Sequence, residues 1–235
     1  MQRLYKLGDE LKNLEKEQSL DIDQVYFKEL KYENILFHYE KDNERYFSVG
    51  PVSLKIRPGK VIFIVGGNGS GKSTLLNLLT GLYPLKSGHI FLNGKRSEIN
   101  ACRPLFSLIP YDFHLFDRLY GLEKTDSKRV NELLKCMKLD KKVEYQSSTF
   151  STLKLSTGQK KRMAMLVALL EDKPIYVFDE WAADQDPEFR KYFYEDLLPS
   201  LKAKGKTIIA VTHDDRYFHM ADEVVKLEHG LIVKI

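Results

Sequence analysis

A glycine-rich run at residues 66–74 ends in a lysine and two hydroxyl-bearing residues. Its order fits the pattern G-x-x-x-x-G-K-[ST], in which glycines let backbone N–H groups approach an anion closely. A helix that begins within such a run adds its N-terminus to the anion site. The lysine can reach the β- and γ-phosphates of a nucleotide, and the first hydroxyl can bind Mg²⁺. The run therefore predicts a phosphate-binding loop for a nucleoside triphosphate. Its residues are Gly66, Gly67, Asn68, Gly69, Ser70, Gly71, Lys72, Ser73 and Thr74.

Two adjacent acids, Asp179 and Glu180, follow the apolar run at residues 175–178. A buried strand that ends in an acid brings a carboxylate beside the phosphate loop, where Asp179 can hold Mg²⁺ together with Ser73. Glu180 is placed to polarise an attacking water as a general base. These residues predict hydrolysis of the nucleotide rather than binding alone.

The residues around these motifs predict the elements that hold them. The glycine-rich run lies between a short apolar strand and a helical pattern, and the strand before Asp179 is separated from the next by a helix at about 188–201. Strands that alternate with helices form parallel sheets. The stretch 101–170 is more helical, with Asp126 or Ser127 as the N-cap of one helix. The predicted strands cover residues 32–39, 47–56, 61–65, 175–178 and 207–211.

Composition excludes several classes of protein. Of 235 residues, 43% are hydrophobic and 30% are charged, which is typical of a globular chain. The net charge of +4 is small for a protein that binds by neutralising nucleic-acid phosphates. Cys102 and Cys136 lack the spacing of a zinc site or a disulfide framework, which indicates reduced thiols in a cytosolic protein. No segment reaches the ~20 apolar residues that cross a bilayer.

A third motif, at residues 155–159, reads LSTGQ and precedes the strand that ends in two acids. With the motifs in this order, the chain resembles the nucleotide-binding domain of ATP-binding cassette (ABC) proteins. Their signature reads LSGGQ, so Thr157 replaces a glycine. The resemblance covers about residues 30–235 and implies that Ser156, Gly158 and Gln159 cap the γ-phosphate of ATP held by a second copy. The N-terminus of the following helix is itself an anion site.

The resemblance also implies a fold and a domain organisation. The fold is α/β, a P-loop NTPase (RecA-like) core with a mixed, largely parallel sheet, an antiparallel β subdomain and a helical subdomain at about 101–170. The ATPase domain would span 23–235 and bind ATP with Mg²⁺. Residues 1–22 would form a linker helix from a membrane domain. The leucines of that segment have helical spacing, which fits such a linker or a helix packed on its own domain.

Three further residues match positions with roles in the family. Tyr39 matches the aromatic residue that stacks on adenine, although an ordinary strand tyrosine would look the same. His213 follows a predicted strand and matches the switch histidine that contacts the γ-phosphate. Asp186 matches the acid of the loop that meets the opposite protomer. The expected catalytic set is Glu180, His213 and Lys72.

One position departs from the family pattern. Tyr111 stands where a glutamine normally contacts Mg²⁺ and relays motion from the substrate side. A neutral phenol is a poor ligand for a hard cation, and Mg²⁺ can keep a water in its place. We expect Tyr111 to lie outside the coordination shell of the metal. The alternative is that Asp112 turns inward and supplies an oxygen.

The segments 112–117, 179–186 and 213–218 are similar to those of bacterial exporters of cyclic peptides and peptide siderophores. This resemblance implies an ATPase that powers export by ATP-driven head-to-tail pairing with a second copy. Its other partner would be a fused or separate transmembrane domain at the cytoplasmic face of the inner membrane, and no nucleic-acid partner is expected. The alternative is a soluble cassette ATPase that acts on nucleic acid or ribosomes, which usually has two cassettes or a long coiled coil. A nucleotide sensor without activity is a third hypothesis, and Glu180 argues against it.

Overall fold

The computed structural model describes residues 27–41, 44–122 and 124–233. The predicted linker helix at 1–22 lies outside these residues. The strands are β1 (Leu30–Lys41), β2 (Glu44–Ile56), β3 (Val61–Val65), β4 (Ser87–Leu92), β5 (Lys95–Ser97), β6 (Phe106–Ile109), β7 (Tyr145–Gln146), β8 (Thr149–Phe150), β9 (Ile175–Asp179), β10 (Thr207–Val211), β11 (Glu223–Glu228) and β12 (Leu231–Val233). The α-helices are α1 (Lys72–Leu79), α2 (Ile99–Cys102), α3 (Ser127–Cys136), α4 (Thr157–Glu171), α5 (Pro187–Tyr192) and α6 (Leu198–Ala203).

Six strands form the central sheet, in the order β12-β11-β3-β10-β9-β6. They are parallel apart from β12, which pairs antiparallel with β11. Every residue of β3, β9 and β10 is buried, as expected for parallel strands that are covered on both faces. This confirms the predicted mixed, largely parallel sheet.

Alternate residues of these strands enter two different cores. In β3, Phe63 packs in the core that includes buried residues of α3, α4 and α6, whereas Ile62 and Ile64 pack with α1 and the antiparallel strands. Because successive side chains of a strand point to opposite faces, one sheet organises both cores. Because β3, β10 and β9 are adjacent and parallel, their carboxyl ends meet at one edge of this sheet.

A second sheet, in the order β2-β1-β4-β5, is antiparallel throughout. β1 and β2 form a hairpin in which Tyr39 lies opposite Phe47. The buried residues of these strands pack in the same core as Leu75 and Leu78 of α1. This sheet is the predicted antiparallel β subdomain, and it covers one side of α1.

The helical part of the chain contains α3 and α4, with the small sheet of β7 and β8 between them. Asp126 is the N-cap of α3 and accepts a hydrogen bond from the N–H of Lys128. The range predicted for a helical subdomain, about 101–170, also includes β6, which pairs with β9 in the central sheet. After α2, α-helical structure in this range begins at Ser127.

The helix predicted at about 188–201 is divided in the structure. A π-helical turn at Phe193–Leu197 joins α5 to α6. Pro199, near the start of α6, has no N–H to donate, and a proline ring collides with the carbonyl four residues before it in a regular α-helix. A wider turn with longer-range hydrogen bonds relieves this conflict.

Candidate functional site

The phosphate loop joins the end of β3 to the start of α1, as the sequence predicts. Gly66 has a φ of 152°, and a Cβ there would lie 2.2 Å from the carbonyl oxygen of Leu227, so only glycine fits. Gly71 is the N-cap of α1, and this helix end has no side-chain cap. The first N–H groups of α1 are therefore available to an anion.

Lys72 is folded onto the loop to which it belongs. It is 6% exposed, and its Nζ donates to the carbonyl oxygens of Gly66 and Gly67 at 3.0 Å each. Both partners are neutral, so a phosphate group would offer the ammonium a stronger, charged partner. Lys72, which the sequence predicts to bind phosphate, therefore lies against the backbone of the phosphate loop.

Asp179 and Ser73 form the pair predicted to hold Mg²⁺. Asp179 ends β9, is 5% exposed, and accepts a hydrogen bond from Ser73. Burial raises the pKa of the Asp179 carboxyl, and the hydrogen bond from Ser73 opposes that effect. Its Oδ1 is buried without a hydrogen-bond partner among the described residues. Hard divalent cations prefer such oxygen donors, so the residues fit Mg²⁺.

Glu180 and His213 meet at the carboxyl ends of β9 and β10. His213 Nε2 lies 3.1 Å from Glu180 Oε1. Glu180 has a φ of 50°, a left-handed conformation that is uncommon for a residue with a side chain. Its N–H donates to the carbonyl oxygen of Val211 at 3.3 Å. Glu180 and His213, which the sequence predicts as site residues from separate segments, are therefore in direct contact.

A cleft of about 520 Å³ extends from the phosphate loop to Tyr39 and Glu180. The Tyr39 hydroxyl is 3.2 Å from Thr74 Oγ1, so the ring stands beside α1. Phe47 lines the same cleft, with its ring centroid 6.3 Å from that of Tyr39. No motif of the sequence includes Phe47, although it begins the predicted strand at 47–56, the next strand after the one that ends at Tyr39. The cleft has a phosphate-binding end and an aromatic end.

The LSTGQ motif forms the start of α4. Ser156 is the N-cap, and its hydroxyl accepts a hydrogen bond from the Gln159 N–H, while the Gln159 side chain accepts one from the Ser156 N–H at 3.1 Å. A Cβ on Gly158 would lie 2.5 Å from the carbonyl oxygen of Asp184, so the motif packs directly on the loop after Glu180. None of the three motif residues lines the cleft of its own chain.

Charged residues that belong to no predicted motif connect α4 to this loop. Lys161 is 1% exposed and its Nζ lies 2.7 Å from the Asp184 carboxylate. Arg162 pairs with Asp186, which also caps α5. The predicted interface residue Asp186 is thus held between α4 and α5 of its own chain.

Tyr111 and Asp112 are both exposed, and neither lines the cleft. The centroid of the Tyr111 ring lies 5.2 Å from Lys161 Nζ. The structure therefore places Tyr111 beside α4. That the metal takes no ligand from either residue stays a prediction.

These features define a class of protein. A parallel sheet whose inner strand leads into a phosphate loop, with an acid pair at the end of a nearby strand, is typical of a P-loop nucleoside triphosphatase. Within the described ranges, the helices are too short or too polar to span a bilayer.

Comparison with known sequences identifies the family. The sequence profile of the ABC transporter family matches residues 49–183. The chain is 43% identical to the ATP-binding protein SyrD of Pseudomonas syringae pv. syringae over 212 residues, which cover 87% of this chain and 38% of that protein. It is 30% identical to an ATP-dependent lipid A-core flippase of Idiomarina loihiensis over 224 residues, which cover 88% of this chain and 38% of that protein. The chain thus spans 38% of the length of both relatives.

Two solved structures share the fold. A bacterial Atm1-family ABC exporter with ATP bound has a TM-score of 0.74 at 24% identity, over 90% of this chain and 39% of that chain. A dimeric ATP-binding cassette in a post-hydrolysis state, bound to ADP and Pi, has a TM-score of 0.74 at 24% identity, over 87% of this chain and 97% of that chain. The chain belongs to the ABC transporter family. It is an ATPase domain of that family, with ATP and Mg²⁺ as cofactors.

Proposed function

We propose that the chain powers export of a cyclic peptide or peptide siderophore by ATP-driven head-to-tail pairing of two copies. A transmembrane domain, fused or separate, would carry the substrate, and the chain would lie at the cytoplasmic face of the bacterial inner membrane. The identity to SyrD and to a lipid A-core flippase supports export. The segments 112–117, 179–186 and 213–218 support the peptide class.

One observation carries the proposed pairing. Ser156, Gly158 and Gln159 lie at a helix N-terminus, which attracts anions, yet they do not line the cleft that contains Lys72. A second copy placed head to tail would bring its motif to the open side of this cleft. Each ATP would then lie between two copies, so that binding of ATP closes the pair and hydrolysis releases it.

Each residue of the cleft has a task in hydrolysis under this proposal. Lys72 and the N–H groups of α1 bind the β- and γ-phosphates. Ser73 and Asp179 hold Mg²⁺, which neutralises charge on the phosphate oxygens when it is bound. Glu180 accepts a proton from the attacking water. His213, which lies 3.1 Å from the Glu180 carboxylate, orients that carboxylate and contacts the γ-phosphate.

The aromatic end of the cleft is assigned to the adenine ring. The Tyr39 ring is fixed by its hydroxyl contact with Thr74 and by Phe37, whose centroid is 5.0 Å away. A ring held in this way offers a flat surface on which a base can stack, an interaction that contributes roughly 1–3 kcal/mol. Because the phosphate loop lies beside it, one ATP can occupy both ends.

The pairing is tested with Glu180→Gln, which keeps the shape of the side chain but removes the base. Gel filtration with ATP and Mg²⁺ should show a dimer, and the same variant without ATP should elute as a monomer. The double variant with Lys72→Ala is the control, because it retains the Glu180→Gln change but loses a phosphate contact. A strictly monomeric elution at saturating ATP would contradict the shared site.

The substrate class needs the complete transporter in inside-out vesicles. ATP-dependent uptake of a cyclic peptide, absent in the Glu180→Gln variant, is the expected result. Uptake of lipid A without uptake of peptide would overturn the peptide class but leave export in place. ATP hydrolysis stimulated by RNA or ribosomes instead would favour the soluble cassette alternative.

A further inference from the structure

Lys161 is the most completely buried charged residue outside the cleft among those described, at 1% exposure. Its Nζ donates to the carbonyl oxygen of Glu180 at 2.6 Å and pairs with the Asp184 carboxylate at 2.7 Å. The Tyr111 ring covers the same ammonium, with its centroid at 5.2 Å. A buried ammonium needs such partners, because an isolated charge is strongly disfavoured in the interior.

The bond from Lys161 reaches the backbone of the residue assigned as general base. Glu180 holds a φ of 50°, which residues with a side chain rarely adopt and which surrounding contacts must maintain. A second hydrogen bond runs in the opposite direction, from the loop to the helix: the Trp181 indole N–H donates to the Lys161 carbonyl oxygen at 2.8 Å. Two hydrogen bonds thus clamp α4 to the turn that begins at Glu180.

This turn is also the place where the LSTGQ motif touches its own chain. Gly158, three residues before Lys161, packs against the carbonyl oxygen of Asp184, whose carboxylate holds the Lys161 ammonium. A shift of α4 would therefore move the backbone that directs the Glu180 side chain. Through these contacts, the position of α4 determines the position of the Glu180 carboxylate within one chain.

We infer that Lys161 is a positioning residue for Glu180: it fixes the left-handed backbone from which the carboxylate points at His213. The inference rests on the general-base role proposed for Glu180. Among the described residues, the Lys161 ammonium makes its hydrogen bond with Glu180 and its ion pair with Asp184, both outside the phosphate loop. Its removal should therefore change the rate of hydrolysis rather than the binding of ATP. A residue that only stabilised the fold would not produce this selective change.

The test compares Lys161→Met with Lys160→Met in the Mg²⁺-dependent ATPase reaction. Methionine matches the unbranched stem of lysine without its ammonium group, so it cannot donate to the Glu180 carbonyl. Lys160 is an exposed lysine in the same helix. Lys161→Met should lower kcat by roughly 10- to 100-fold, as expected for a misplaced catalytic group, with the KM for ATP unchanged. Lys160→Met should behave as the unaltered chain. Equal kcat values for the two variants would overturn the inference.

A double variant separates positioning from other roles. If Lys161 acts through Glu180, adding Lys161→Met to Glu180→Gln should produce no further loss of single-turnover rate. A second loss of the same size would show that Lys161 acts elsewhere. Full activity of Glu180→Gln alone would contradict the general-base role proposed for Glu180. Normal activity of Lys161→Met, with Glu180→Gln inactive, would instead contradict only the positioning role of Lys161.

The emission of Trp181, the single tryptophan, reports whether each variant is folded, because this ring is buried. If Lys161→Met does not fold, Asp184→Asn provides the same test from the other side of the ion pair. Asp184 is 35% exposed at its side chain, so water can solvate the altered group. A smaller fall in kcat at unchanged KM is expected for Asp184→Asn, and an unchanged kcat would overturn the inference.

Discussion

The N-termini of α1 and α4 are both suited to bind phosphate, yet they are completed in opposite ways. α1 follows Gly71 without a side-chain cap. α4 begins with a capping box in which Ser156 and Gln159 satisfy each other's backbone groups. The first helix end therefore leaves N–H groups for a ligand, whereas the second is already stable within its own chain.

The two helix starts also differ in how closely a nearby glycine is packed. A Cβ on Gly67 in the phosphate loop would meet nothing within 4 Å, whereas a Cβ on Gly158 would meet the carbonyl oxygen of Asp184 at 2.5 Å. The phosphate loop thus has open space at Gly67, although Gly66 packs tightly on Leu227, whereas the start of α4 at Gly158 is closed by its contact with the turn after Glu180. This difference suits one site that binds ATP and another that closes on the ATP of a second copy.

The largest expected effect comes from removing the charge at the phosphate loop. Lys72→Met should reduce ATP hydrolysis by roughly 10²–10³-fold, because the ammonium stabilises charge on the reacting phosphates. Binding of ATP should also weaken, as measured by calorimetry. Lys95→Met, at an exposed strand position, is the matched control. Tight ATP binding and normal turnover in Lys72→Met would show that the Lys72 ammonium neither binds ATP nor assists its hydrolysis.

The next effect is on folding and distinguishes the two glycines. Gly158→Ala should lower the free energy of unfolding by about 1–3 kcal/mol, because the new methyl group overlaps a backbone carbonyl. Gly67→Ala should leave it nearly unchanged, since its Cβ has room. Denaturant unfolding without nucleotide measures both. Equal stability of the two variants would contradict the proposed difference in packing.

A smaller, pH-dependent effect is expected at Asp186. The N–H of Phe189 and the guanidinium of Arg162 hold the pKa of the Asp186 carboxyl below its ordinary value of 3.8. Because this pKa is lower in the folded chain, ionised Asp186 adds stability above pH 3.8, and the contribution is lost as pH falls through the lowered pKa. Asp186→Ala should cost about 1 kcal/mol at pH 7 through the lost helix cap.

Thermal unfolding of Asp186→Asn provides the control for this prediction. Asparagine is also a good N-cap but carries no charge. The difference in melting temperature between Asp186→Asn and the unaltered chain should therefore shrink below pH 3.8. A difference that stays constant down to pH 2 would show that the charge adds nothing.

The smallest effects are expected at Tyr111 and Asp112. Tyr111→Phe keeps the ring over Lys161, and Asp112 is exposed, so neither Tyr111→Phe nor Asp112→Asn should change the Mg²⁺ concentration required for hydrolysis. Magnesium titration of the ATPase rate measures this. A large rise for Asp112→Asn alone would favour an inward-turning carboxylate, and a comparable loss in Tyr111→Phe would show that the phenol oxygen participates.

The sequence predicts the ligand-binding half of the site well because its motifs are local. The run at 66–74 and the acids after β9 each carry their chemistry in a few adjacent residues, and the structure places them at one edge of the sheet. The connection between α4 and the loop after Glu180 is not local. It joins residues about twenty positions apart, so no short motif contains it.

Lys161 and Arg162 show why this connection was missed. A run of basic residues in a helix usually faces water, yet each of these residues stands four positions before a buried one, Met165 and Leu166. Helical spacing therefore places them on packed faces, where they need acidic partners. The π-helical turn after α5 was missed for a different reason. Pro199 disturbs the hydrogen bonds of the preceding turn, so its effect appears before it in the chain.

Cross-linking tests the head-to-tail arrangement most directly. One chain would carry Asn68→Cys in its phosphate loop and the other Thr157→Cys, at an exposed position in the first turn of α4, both with Glu180→Gln to retain ATP. The exposed Cys136 would be changed to serine, and Cys102 can stay because it is buried. With a short thiol-reactive cross-linker, we predict a covalent dimer only when both chains, ATP and Mg²⁺ are present. Cross-linking of the Asn68→Cys chain to itself, or a dimer that forms equally without ATP, would contradict a site shared head to tail.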